Sequence, residues 1–509
     1  MRKIFTNNVL DRLLGGPPRR KDLVALMDTR GKEVTFRELP RLVDTIADSL
    51  ISEGLDEGDR VIILIRPSIE AVLYFFAVSR AGGVVVLADP AMGREVFAGR
   101  VGLARPTLVI MDPLIGFVSG SAVAGRIIRW LGTEIPDADV YSGMSVLISK
   151  SLSSLRNHKK NIRGKYVEER MDDSADALIV FTSGTTSVPK GVVHTFRSIS
   201  SMLTMVSDRC KSSESDVFYS SQSYFVLVSL LIGARAVIDR RATFDPGRFI
   251  RITKSFGVNK VYILPNEGER LVGYCAGKRI GLPHSLKLIL FGSAPALAGF
   301  LTRFETITSS RTDVKCIYGS TEILPISMID MRDKIGFSGK GDPLGRPLSG
   351  VSVNCSEDGE LIVSGPNLCD RYLHETDRMS SYATGDLGMM DPEHGIVLSG
   401  RKKDMIIKNG HNIYPSLFEP TISRIPGVGT CAMIGVFDRK RSDEDVILFI
   451  ENVSELLDSD LEKRVRRELS SGQFSIDQYA VPDRISCVRI PVSGRSRKID
   501  KGLLRTMAR

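Results

Sequence analysis

The chain has 509 residues, 42% hydrophobic and 25% charged, with 46 Gly and 23 Pro, proportions that exclude disorder and fibre. At roughly 150 residues per domain, the length allows about three to four domains or lobes and an ample core. A formal net charge of +9, from 69 Lys plus Arg against 60 Asp plus Glu, suits an anionic partner such as a nucleotide, an acyl phosphate or an acidic membrane surface; no nucleic acid partner is expected.

Cys210, Cys275, Cys316, Cys355, Cys369, Cys431 and Cys487 are scattered without a CxxC pair, so neither a disulfide framework nor a zinc site is expected. The amino terminus MRKIFTNNVLDRLLGG lacks the apolar h-region and cleavage site of a signal peptide. The most apolar stretch, 224–238, is interrupted by Ser229 and Arg235 and falls short of the ~20 residues that cross a bilayer. A cytoplasmic protein without a transmembrane helix is expected.

Leu39, Leu42, Val43, Ile46, Ala47 and Leu50 fall at i, i+3, i+4, i+7, i+8 and i+11, one face of a helix. The run Val61–Ile65 reads as a buried strand, Pro67-Ser68 starts a helix to about Arg80, and Gly82-Gly83 leads into a second strand, Val84–Leu87. Continuous apolar strands joined by helices imply a mainly parallel sheet covered on both faces, an α/β class. Arg156, Lys159, Lys160, Arg163 and Lys165 form a basic stretch that reads as a solvated loop or, alternatively, a peripheral membrane contact.

A strand at Ala177–Phe181 runs into a Ser/Thr/Gly loop, followed by a helix from about Arg197; this order presents backbone N–H groups to phosphate. The segment Phe181-Thr-Ser-Gly-Thr-Thr-Ser-Val-Pro-Lys-Gly-Val192 holds five hydroxyls, Gly184 and Lys190, donors and a cation able to wrap polyphosphate. A Walker A motif is excluded, because Pro189 precedes Lys190 and Gly191 follows it. Further strands are expected at Val261–Leu264, Leu286–Phe291 and Val314–Ile317, and in the tail at Met405–Ile407, Ala432–Val436 and Val446–Ile450. The expected organisation is a large N-terminal domain, 1–400, of mainly parallel sheets covered by helices, and a small mobile C-terminal α/β domain, 401–509.

The phosphate-loop segment resembles that of the adenylate-forming superfamily, which contains acyl-CoA synthetases, luciferases and the adenylation domains of peptide synthetases. The resemblance continues in order through Leu290-Phe-Gly-Ser-Ala-Pro295, Tyr318-Gly-Ser-Thr-Glu322, Tyr382-Ala-Thr-Gly-Asp386, Gly400-Arg-Lys-Lys-Asp404 with Lys408–Pro415, and Arg497-Lys-Ile-Asp-Lys501. It covers nearly the whole chain and implies activation of a carboxylic acid by ATP with Mg2+, releasing pyrophosphate, with CoA or a carrier-protein thiol as acceptor.

On this resemblance Thr182, Ser183, Gly184, Thr185, Thr186 and Lys190 line the polyphosphate, and Gly292, Ser293, Ala294 and Pro295 form the adenine-side turn. Tyr318 stacks on adenine, with Gly319 and Ser320 beside it; Thr321 lies near the α-phosphate and Glu322 holds Mg2+. Asp386 and Arg401 reach the ribose, Lys403 is the hinge pivot and Lys498 is the catalytic lysine. Lys190, Thr321, Glu322 and Lys498 make up the catalytic set. Ser187 and Arg497 stand where the family usually has Gly, and Pro491 to Lys498 is one residue longer than the usual pattern, leaving Lys501 as the alternative lysine.

Asp and Glu are absent between Val217 and Ile238, which disfavours an α-amino substrate. Tyr224-Phe-Val-Leu-Val228 reads either as an apolar acyl pocket or as plain core. His194 reads as a polar helix-entry residue or a ligand, and His411 as a thiol-channel or surface residue. Three functions remain open: a thiol ligase for a hydrophobic, fatty acid; a β-lactone synthetase, resembled by the stretch from Arg66-Pro67 through Leu87–Gly93 and by Thr321–Ser327, that cyclises a 3-hydroxy acid without CoA; and a nucleotide-binding protein that has lost catalysis.

Overall fold

In the computed structural model, Arg60–Leu64 forms a strand, Ile69–Arg80 a helix and Val84–Leu87 the next strand. The structure describes residues 2–16, 21–89, 94–113, 144–157, 166–182, 190–220, 223–241, 243–409, 411–438, 443–470, 476, 480–493 and 498–508. Ser68 caps the helix by accepting the Ala71 N–H at 3.1 Å, which satisfies an amide the first turn leaves without an internal partner. Val61 and Ile62 are fully buried, and burial of such a side chain contributes about 1.5–3 kcal/mol.

The chain divides into two compact units. The first comprises 1–262, 321–324 and 366–380, and the second 263–320, 325–365 and 381–509. In the first unit a seven-stranded sheet runs in the order Arg371–Tyr372, Gly191–Thr195, Asp176–Phe181, Val84–Leu87, Arg60–Leu64, Leu108–Met111, Ser145–Ile148. Its last five strands are parallel, while Gly191–Thr195 runs antiparallel to both neighbours. This is the expected mainly parallel sheet, with one reversed strand next to its edge. Lys260–Ile263, Val217–Ser220, Arg235–Ile238, Val24–Asp28 and Glu33–Thr35 lie in that order in a second sheet.

The helix foreseen from Leu39 to Leu50 spans Glu38–Ser52. Helix Ser223–Leu231 carries Phe225 and Val228, both fully buried. Phe225 packs on Phe218 and Tyr262 at centroid separations of 5.0 and 6.0 Å, placing it among core aromatics.

In the second unit Asp313–Tyr318 pairs parallel with Leu288–Phe291 and antiparallel with Ser327–Asp330. A five-stranded sheet follows, in the order Asp342–Gly345, Gly395–Arg401, Tyr382–Asp391, Glu360–Ser364, Ser352–Cys355. Residues 401–509 lie wholly in this unit and have their own sheet, Val428–Asp438, Asp443–Asn452 and Arg484–Cys487. A core including Phe418, Ile422, Leu448 and Val465 backs that sheet. Helix Ala298–Glu305 meets the tail at Gly299, where a Cβ would stand 1.9 Å from the Ser423 carbonyl oxygen, so only glycine fits. Among the described residues no helix is long and apolar enough to cross a membrane.

Candidate functional site

Two clusters of the expected residues form, one in each unit. In the first unit, Phe181 pairs with Gly191 across antiparallel strands, so the intervening loop leaves and returns at adjacent positions. The Thr182 N–H donates to the Lys190 carbonyl at 3.1 Å and closes its base. Ser183, Gly184, Thr185, Thr186 and Ser187 lie outside the described residues, as do Arg497 and the basic residues of 158–165. Arg156, at the edge of that basic stretch, pairs with Glu38 at 3.0 Å.

The Lys190 ammonium sits 4.4 Å from the Tyr372 ring centroid, within cation–π range. The Tyr372 hydroxyl donates to Glu322 Oε1 at 3.0 Å, and Glu322 is buried. Its carbonyl accepts the Cys369 N–H at 2.8 Å. One residue earlier, the Thr321 carbonyl lies 2.8 Å from His194 Nε2. Burial pushes the His194 imidazole below its usual pKa, against the Thr321 bond and the Glu322 charge, which favours the neutral form. His194 is therefore more than a polar residue at a helix entry.

Arg100, in helix Arg94–Ala104, is 5% exposed. Its Nη2 donates to the Thr182 carbonyl at 3.2 Å and its guanidinium carbon lies 5.6 Å from the Phe181 ring centroid. Sequence reasoning missed Arg100 and Tyr372. Arg100 lies 82 residues from its partner and Tyr372 50 residues from Glu322, separations at which local periodicity carries no signal.

In the second unit, Gly292 is buried and Ser293 is exposed with φ 68°, a left-handed conformation that non-glycine residues hold at some strain, often at functional sites. Ala294 is half-buried and Pro295 exposed; Gly319 and Ser320 are half-buried. The Tyr318 hydroxyl donates to Asp386 Oδ2 at 2.7 Å, and Arg401 Nε lies 2.6 Å from Asp386 Oδ1. Strand pairing places Asp386 opposite Arg401. Burial, reinforced by the Asp386 carboxylate, pushes the Tyr318 phenol well above its usual pKa, so it remains a donor. Burial is the largest influence and opposes the Arg401 charge, but the Asp386 carboxylate, Tyr318 and Asp404 together outweigh it and raise the guanidinium's pKa.

Lys403 is exposed in the single helical turn Lys402–Asp404. Neighbouring Lys402 pairs with Asp358 at 2.6 Å and Glu360 at 3.2 Å; Glu360 Oε1 in turn accepts the Gly385 N–H at 2.9 Å. Lys498 is half-buried in a hairpin opposite Ser493. Lys501 lies 3.3 Å from Glu419 Oε1 and 3.8 Å from Asp404 Oδ2, already engaged by two carboxylates. His411 is exposed and pairs with Lys408 in a hairpin.

Among the described residues no group of three or more His, Cys, Asp or Glu could cage a metal. Mg2+ keeps several waters and takes one or two carboxylates plus substrate phosphates, so a single buried carboxylate at Glu322 fits it. A nucleotide sugar finds a buried acceptor in Asp386, whose Oδ1 has no hydrogen-bond partner although Arg401 pairs with it electrostatically.

The chain belongs to the family of AMP-binding enzymes, whose description matches residues 17–373. It is thus a member of the adenylate-forming superfamily, whose common step is adenylation of a carboxylic acid. A 2-succinylbenzoate–CoA ligase of Bacillus cereus (strain Q1) is 25% identical over 434 residues, 80% of this chain and 82% of the relative. An olefin β-lactone synthetase of Xanthomonas campestris pv. campestris is 25% identical over 448 residues, 79% of this chain and 78% of the relative. Among solved structures, the amide bond synthetase McbA from Marinactinospora thermotolerans has the same fold, with a TM-score of 0.79 at 22% identity, covering 98% of this chain and 99% of that one.

Proposed function

We propose that the protein is an AMP-forming acid–thiol ligase that activates a hydrophobic, fatty carboxylic acid and passes the acyl group to a thiol such as CoA. The observation that carries the nucleotide half is Asp386, a buried carboxylate fixed by the Tyr318 hydroxyl and the Arg401 guanidinium, an acceptor pre-oriented for the ribose hydroxyls. Tyr318 would lie against adenine beside Gly292–Pro295. Lys190 and the loop hydroxyls would hold the β- and γ-phosphates, and Glu322 the Mg2+.

A carboxylate is a poor acyl donor because its leaving group would be oxide. In the reaction a substrate carboxylate oxygen bonds to the α-phosphorus of ATP while the bond to pyrophosphate breaks, giving acyl adenylate. Charge grows on the non-bridging oxygens and the departing pyrophosphate, where preorganised cations act most strongly. Bound Mg2+ would neutralise part of that charge. Lys498 would meet the oxygens joining acyl group and phosphate, and Thr321 would stand near the α-phosphate.

Residues 401–509 would act as a mobile domain turning about Lys403, bringing Lys498 in for adenylation and withdrawing it for transfer. Transfer to a thiol is supported by the Asn412-Ile-Tyr-Pro415 segment after the hinge, and by the CoA ligase among the relatives. A second reading is supported by the β-lactone synthetase relative of similar identity: the acyl adenylate of a 3-hydroxy acid would close on its own hydroxyl without CoA.

Acid-dependent ATP–pyrophosphate exchange tests the adenylation step. Lys498→Ala is expected to lower exchange about 10²–10³-fold while sparing thiol transfer from supplied acyl adenylate. Unchanged exchange would remove Lys498 from the catalytic set.

A further inference from the structure

We infer that His194 is a positioning residue for the Mg2+ carboxylate, holding the Thr321–Glu322 peptide through its Nε2–H; this rests on the proposed role of Glu322. A carbonyl oxygen only accepts hydrogen bonds, so the 2.8 Å contact with the Thr321 carbonyl puts a proton on Nε2. Ser198 Oγ stands 3.3 Å from Nδ1; it accepts the Thr195 N–H at 3.1 Å, and its single hydrogen is shared between the Thr195 carbonyl at 3.0 Å and Nδ1. Thr195 and Ser198 form the capping box of helix Phe196–Arg209. A chain of bonds thus runs from a helix end, through a buried imidazole, to the peptide that carries Glu322.

The remaining contacts make this peptide a fixed platform. The Glu322 carbonyl is held by the Cys369 N–H, and its carboxylate by the Tyr372 hydroxyl. His194 holds the preceding carbonyl from strand Gly191–Thr195, which begins just after Lys190. One short strand therefore links the lysine at the phosphate loop to the backbone that aims the metal carboxylate. Groups that orient a metal ligand without touching the metal typically affect metal affinity or activity about 10–100-fold.

Replacement by amides of different reach tests the inference. Gln places an amide N–H near the position of Nε2, whereas Asn reaches only as far as Nδ1. His194→Leu and His194→Asn are expected to raise the Mg2+ half-saturation of ATP binding, read by titration calorimetry, about 10–100-fold. His194→Gln is expected to restore it, and binding of ATP without Mg2+ is expected to be equal in all variants. A packing role alone would lower the melting temperature without separating Gln from Asn. Equal Mg2+ half-saturation in the Gln and Asn variants overturns the inference, and that pair decides the matter even if the Leu variant does not fold. A wild-type protein that binds no ATP with Mg2+ refutes the nucleotide reading itself.

Discussion

Asp386 and Glu322 are both buried carboxylates, yet different partners hold them. Asp386 faces a guanidinium and a phenol, Arg401 and Tyr318. Glu322 faces a phenol, Tyr372, while its peptide is held by the Cys369 N–H and, one residue earlier, by the imidazole of His194. A carboxylate that must accept hydrogen bonds from neutral sugar hydroxyls can keep a cation beside it. The Glu322 carboxylate is held directly by a phenol and not by a cation, which would repel a metal bound there; the Lys190 ammonium stands one contact further off, against the Tyr372 ring. The difference between the clusters follows the difference between their expected ligands.

That contrast can be broken at three points. The largest effect is expected at Asp386: Asp386→Ala should raise the KM for ATP about 100-fold without changing the Mg2+ half-saturation, as steady-state kinetics over both ligands would show. A Mg2+ effect of the same size would mean that the clusters do not divide the work. A smaller effect is expected at Tyr372. Tyr372→Phe keeps the ring beside Lys190 but removes the hydroxyl from the Glu322 carboxylate, and a hydrogen bond to a charged group, at the low end of about 1.5–3 kcal/mol, predicts a roughly tenfold rise in Mg2+ half-saturation. The smallest effect concerns Lys402, an exposed lysine that pairs with exposed Asp358 and half-buried Glu360, contacts at a solvent-facing ammonium that water screens. Lys402→Ala should leave the melting temperature unchanged, and a clear drop would mark these pairs as structural.

The strands were legible because continuous β-branched runs are hard to read otherwise. Val61–Ile65 emerged as Arg60–Leu64, and Val314–Ile317 as Asp313–Tyr318. Boundaries shifted where pairing, and not hydrophobicity, sets strand length: Ala432–Val436 extends to Val428–Asp438 through its ladder with Asp443–Asn452. The carboxylates Glu322 and Asp386 were marked by motif, but their partners were less visible. The Tyr318–Asp386 bond joins two motif residues, whereas Tyr372 lies outside every segment that drew attention. His194 was noticed but ambiguous in sequence, because the carbonyl it holds lies 127 residues away. Likewise Tyr224–Val228 could be pocket or core in sequence, and the full burial of Phe225 and Val228 places those two in the core.

The most direct test of the proposed function is mass spectrometry of products from ATP, Mg2+ and a panel of fatty and 3-hydroxy fatty acids, with and without CoA. The account predicts AMP and an acyl-CoA formed only when CoA is present. β-Lactone and AMP formed from 3-hydroxy acids without CoA would contradict it.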